Sequence, residues 1–202
     1  MTISSGPPNL KQLQKLMFFI DGTNLFIRLR AAKLKVPSLA KLFQLVADRH
    51  FGGREVVRMY LYTIESQKQT AVAWHGPEFL SGVRVVLGDG IPSSGGNVKE
   101  KGVDALLVAD LIYHAAQKNC DFAVVVSIDT DFRFAIQRVE DFGCRTAVVS
   151  IASPIPDRLV GACDLAHENS EGCSAEREPR ARSPIIPPKT GLRFILRQVR
   201  IS

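Results

Sequence analysis

The sequence predicts an α/β fold, a parallel sheet with helices on both faces in a single domain, and three observations carry that reading. Short apolar runs alternate with longer amphipathic stretches from Lys15 to Ala166. The later runs, DFAVVVS at 121–127 and CRTAVVS at 144–150, are apolar almost throughout, as strands covered on both faces are. The chain has 202 residues, 46% of them apolar and 23% charged, which suits one packed domain with short appendages and not two full domains.

The elements follow in order. Lys15 to Ile20 (KLMFFI) reads as a strand ending at Asp21. Gly22 to Lys33 and Ser38 to His50 read as helices, the second capped by Ser38 after Pro37. Glu55 to Ile64 is the second strand, Ser66 to Leu80 a helix up to the Gly76-Pro77 break, and Val83 to Leu87 the third strand. Gly88 to Glu100 (GDGIPSSGGNVKE) is polar and Gly/Ser-rich and reads as a mobile loop, a flap of the kind that covers active sites. A long helix at Lys101 to Lys118, a fourth strand at Asp121 to Ser127, a helix at Thr130 to Asp141, a fifth strand at Cys144 to Ser150 and a last helix at Asp157 to Ala166 complete the domain.

The domain so defined spans 15–166, with 1–14 as an N-terminal extension and 167–202 as a basic, Pro/Arg-containing tail expected to be mobile. The net charge of +6 is concentrated there: residues 170 onward hold seven Lys and Arg against three Glu, which leaves 1–169 at only +2. Charge alone is therefore a weak pointer to nucleic acid. Cys120, Cys144, Cys163 and Cys173 form no CxxC pair, so a zinc ribbon is excluded and free thiols in a reducing compartment are expected. The apolar run Leu16 to Ile20 is too short for a leader or a membrane span. The expectation is a cytoplasmic protein with no membrane contact, with a homodimer as the oligomer to test.

Chemistry enters with the carboxylates. Asp21 closes the first strand in FIDGTN, and Asp129 and Asp131 follow the fourth strand in SIDTDF. Asp104 sits in the first turn of the long helix, in KGVD. If the first and fourth strands are neighbours, the four converge at the carboxyl edge of the sheet, where doubly wound folds gather their ligands. Carboxylates so placed raise one another's pKa unless a cation neutralises them, and oxygen donors select Mg²⁺ or Mn²⁺ over zinc. Such ions activate water against a phosphodiester. The competing explanation for each Asp is a helix cap or a first-turn acid facing the helix dipole. Asp110, six residues after Asp104, lies roughly 120° around the helix and is assigned a supporting place.

Two other motifs fall away. FIDGT lacks the first aspartate of the phosphatase motif DxDGT, since Phe19 stands there. No GKS, GKT or GxGxxG accompanies the first strand. The sequences FIDGTNL, KGVDALLVADL and SIDTDF, in this order, together resemble the NYN domain family, a branch of the PIN-like nucleases, over roughly residues 15–166. The resemblance implies a Rossmann-like core and a metal-dependent ribonuclease, with Asp21, Asp104, Asp129 and Asp131 as metal ligands and catalytic residues beside Asn24. It also matches Asp164 to a recurrent acid in a closing helix. Where the family has SGDSDF this chain has Ile128 and Thr130; Thr130 keeps the hydroxyl, and Ile128 removes a flexible glycine. Ser127, Thr130, Asp110 and Asp164 are placed around the ligands.

For RNA, single-stranded by preference, the candidate contacts are Lys99, Lys101, Arg133 and Thr23, with Arg28 and Arg30 nearby and Trp74 or Tyr113 as base stackers. A module that binds RNA or a protein partner on the same fold without cutting is the alternative.

Overall fold

In the computed structural model, which describes residues 14–52, 54–92 and 98–169, the chain winds outward from a central first strand. β1 (Lys15–Asp21) leads through α1 (Gly22–Ala31) and α2 (Leu39–His50) to β2 (Glu55–Thr63), then through α3 (Glu65–His75) to β3 (Arg84–Leu87). A small hairpin follows, β4 (Asp89–Pro92) and β5 (Val98–Lys101), then α4 (Val103–Ala116), β6 (Phe122–Val126), α5 (Arg133–Glu140) and β7 (Arg145–Ile151). A single turn α6 (Asp157–Val160) precedes β8 (Leu165–Asn169). The main sheet has the order β3-β2-β1-β6-β7-β8, and all of its pairings are parallel.

The run KLMFFID explains why β1 is central. Leu16, Phe18 and Ile20 enter one core with α1 and α2, while Met17 and Phe19 enter the other with α4 and α5, and none of the five is more than 7% exposed. A strand with apolar side chains on both faces loses that burial at any edge position. β6 has the same character and pairs with β1 in the register Ile20↔Val126. The chain turns from β1 toward β2 on one side and, after α4, toward β6 on the other. The order therefore reverses between β1 and β6, and a crevice opens there at the carboxyl edge.

The structure departs from the sequence reading at two places. The expected loop 88–100 contains the antiparallel pair β4/β5, with 93–97 outside the described residues. Its strands, DGIP and VKEK, are exposed except for Glu100, so no apolar alternation betrays them. The expected helix 157–166 stops after one turn at Val160, and β8 continues to Asn169, past the expected boundary at 166. Leu159, Ala162, Cys163 and Ala166 have helical spacing, which is why the strand was hidden. The N-terminal extension, Cys173 and the tail from 170 onward lie outside the described residues. Cys120, Cys144 and Cys163 are free thiols, as expected.

Candidate acidic site at the carboxyl edge

Asp21 ends β1 and caps α1. Its Oδ1 accepts from the Asn24 amide at 2.9 Å, and its Oδ2 accepts from Ser127 Oγ at 2.8 Å. Gly22 makes the tight exit feasible, because a Cβ at this position would lie 2.6 Å from the Tyr62 carbonyl on the neighbouring strand. Ser127, one residue beyond β6, also accepts from the Asp129 amide at 3.0 Å, and Asp129 Oδ1 accepts from the Asp131 amide at 2.9 Å. One hydroxyl thus ties the end of β1 to the turn after β6. Asp21 and Asp129 are caps as well as members of the acidic edge, so the two readings are compatible: a carboxylate that accepts one amide retains other lone pairs.

The site's electrostatics are those of crowded acids. Asp21 is only 6% exposed, and burial pushes its carboxyl up to about 6. The Asn24 and Ser127 hydrogen bonds oppose that rise, and the charges of Asp104 and Glu100 add to it. Asp104, in the first turn of α4 behind Gly102 (φ +80°), is raised by desolvation and then by Glu100, Asp129 and Asp131. Asp104 thus couples by charge to Asp21 and Glu100 on one side and to Asp129 and Asp131 on the other.

Glu100 is the member that sequence reasoning missed. Among the described residues of β5 it is the one not exposed, and it hydrogen-bonds to Thr23 Oγ1, which also lies 2.7 Å from Gln67 Oε1. Gln67 Nε2 donates to Glu100 at 3.4 Å. The hairpin is thereby fastened to α1 and α3 beside Asp21. Only a strand assignment to VKEK would have revealed this, since alternation then separates Glu100 from its basic neighbours. Lys99 and Lys101 accordingly project from the opposite face of the ribbon and are exposed.

The remaining predicted residues divide. Asn24 and Thr130 are half-buried beside Asp21 and Asp131. Thr23 is engaged with Glu100 and Gln67. Arg133 opens α5, its guanidinium 4.2 Å from the Phe134 ring centroid. Asp110 accepts from the buried Tyr62 hydroxyl at 3.0 Å and so fixes α4 to β2. Asp164 is the correction: it lies at the other edge of the sheet, accepting from the Thr146 amide at 2.9 Å near the start of β7. Thr146 is level with Ala123 and, through it, with Met17, four residues or roughly 13 Å upstream of Asp21. It stands in a turn rather than the expected closing helix and anchors the approach to β8. Ile128 needs no glycine-like backbone, since it is absent from the positive-φ residues. Trp74 and Tyr113 stand near the far ends of α3 and α4, each nine positions or about 13 Å beyond the first-turn acids Glu65 and Asp104.

The donor set fits a hard divalent cation, since it is all oxygen and the neighbouring acids disfavour ionisation of Asp21 and Asp104. As placed, no three His, Cys, Asp or Glu side chains among the described residues close into a metal-holding group, so the acids line an open edge.

A doubly wound parallel sheet with acids gathered near its switch point defines a Rossmann-like α/β protein. Residues 15–170 match the NYN domain model, and the chain belongs to that family, part of the PIN-like nuclease superfamily. A crystal structure of a protein of unknown function from Vibrio parahaemolyticus shares the fold, with a TM-score of 0.58 at 21% identity over 78% of this chain and 94% of that one. No curated protein matches the sequence significantly. Among the described residues, no helix is long and apolar enough to cross a membrane.

Proposed function

We propose that this protein is a metal-dependent ribonuclease that hydrolyses phosphodiester bonds of single-stranded RNA at the β1/β6 edge. The observation that carries the reading is the crowding of acids at this edge, where burial and the charges of Asp104 and Glu100 raise Asp21, and burial and the charges of Glu100, Asp129 and Asp131 raise Asp104, an arrangement that costs stability without a cation. Asp21, Asp104, Asp129 and Asp131 would hold Mg²⁺ or Mn²⁺, with Glu100 beside them. Such an ion supplies positive charge toward the phosphate and lowers the pKa of water.

The chain's own contribution is orientation. Ser127 and the Asn24 amide fix both oxygens of Asp21, and the Asp131 amide fixes Oδ1 of Asp129. The carboxylates then meet a ligand without reorganising. Family membership supports the nuclease class; the choice of RNA, of its single-stranded form and of Mg²⁺ or Mn²⁺ belongs to this proposal.

The test is cleavage of an end-labelled single-stranded RNA in Mn²⁺, with and without chelator, by wild type and Asp129→Asn. Asn keeps the capping oxygen that accepts from Asp131 and removes the charge. The expected outcome is chelator-sensitive cleavage by wild type and a loss of at least about a hundredfold in the variant. Equal cleavage by both removes Asp129 from the site. Binding without cleavage by wild type selects the non-catalytic module.

A further inference from the structure

We propose that Phe134 is a base-stacking platform at the lip of the acidic site, with Arg133 holding the adjoining phosphate, so that the two seat one nucleotide of a single-stranded nucleic acid. The proposal rests on the nuclease reading for its substrate class. Three observations carry it. Phe134 is 66% exposed, the largest exposure among the large apolar side chains described, although it lies in the first turn of a helix whose Ala135, Ile136 and Val139 are buried. It follows Asp131 by three positions through a continuous 3-10 and α-helical turn, which puts the two side chains on neighbouring positions of one face. The Arg133 guanidinium lies against the ring at 4.2 Å, while its Nε is buried and has no hydrogen-bond partner among the described residues.

An exposed phenyl ring gains nothing from water, and a buried guanidinium N–H without an acceptor is costly. A nucleotide meets both needs at once. Its base has a π-face for the ring, whichever base it is, and its phosphate supplies acceptors for the guanidinium. The position matters as much as the chemistry. Among the described residues the other exposed aromatic rings are Trp74 and Tyr113, near the far ends of α3 and α4, and Phe142, just past the far end of α5, whereas Phe134 stands at the carboxyl edge, one turn from Asp131. A base stacked there places the next phosphodiester toward the carboxylates.

The experiment is fluorescence anisotropy of a labelled ten-nucleotide oligoadenylate RNA in Ca²⁺, titrated with wild type, Phe134→Ala, Phe134→Trp and Arg133→Gln at several salt concentrations, with cleavage in Mn²⁺ measured alongside. Phe134→Ala is expected to weaken binding about 5- to 150-fold with an unchanged salt slope, and Phe134→Trp to retain it. Arg133→Gln is expected to lower the slope by about one. Replacing the RNA with an abasic strand of equal length removes the difference between wild type and Phe134→Ala. Equal affinity of Phe134→Ala and wild type overturns the platform while leaving the nuclease reading intact, if wild type cleaves. Binding that depends on Phe134 without any cleavage upholds the platform and overturns the enzyme. No RNA binding by wild type overturns the platform.

Discussion

Asp21 shows how one side chain serves the fold and the site together. As a cap it accepts the Asn24 amide; as the innermost acid it is buried, and its carboxyl is raised to about 6 from an ordinary 3.8. A raised folded-state pKa means that the native protein binds this proton more tightly than the unfolded chain. The associated stability is fully present below about pH 4 and is lost as pH rises through about 6. Asp21→Asn keeps the capping oxygen and never ionises. Without metal it is expected to be more stable than wild type by about 1–3 kcal/mol at pH 8, a difference that vanishes near pH 4. Urea unfolding in chelator at both pH values checks this, and a variant less stable than wild type at pH 8 contradicts it. FIDGTN made Asp21 visible in the sequence because a strand end and an acid coincide there. Its hydrogen bond to Ser127 was not visible, because it joins residues 106 positions apart.

At the scale of elements, the β4/β5 hairpin has little apolar packing of its own, and its hold on the domain includes the polar contact of Glu100 with Thr23 and Gln67. Thr23→Val preserves shape and removes the hydroxyl. Hydrogen exchange in Ile91, Val98 and Lys99 is expected to quicken about 5- to 30-fold, from the loss of a charge-assisted bond worth roughly 1–2 kcal/mol, while β6 stays protected. Unchanged exchange in the hairpin contradicts the anchoring role. The same element marks the limit of sequence reasoning. β1 and β6 were legible because burial on both faces writes an unbroken apolar run, and α2 because Ser38 caps it. β4, β5 and β8 are short and mostly exposed or at an edge, so their sequences carry no periodic signal, and Glu100 stayed hidden with them. Asp164 shows the converse: an acid with a convincing position in the sequence, held in the turn before β8 at the opposite edge by its hydrogen bond from Thr146.

The whole molecule concentrates charge where its topology changes direction. Two buried central strands deliver Asp21 and, through a short turn, Asp129 and Asp131 to one crevice, and α4 and the hairpin bring Asp104 and Glu100 against them. Residues 1–169 taken together carry only +2, so the acidic edge is a local feature of the fold rather than a property of composition. The central claim is that this edge is built for a divalent cation, and it is tested most directly by titrating the full chain with Mn²⁺ and following free Mn²⁺ by electron paramagnetic resonance, for wild type and Asp129→Asn. The predicted result is saturable binding by wild type that weakens at least about tenfold in the variant, both proteins remaining folded. Absence of saturable binding by wild type, or equal affinity in the two proteins, would contradict the claim.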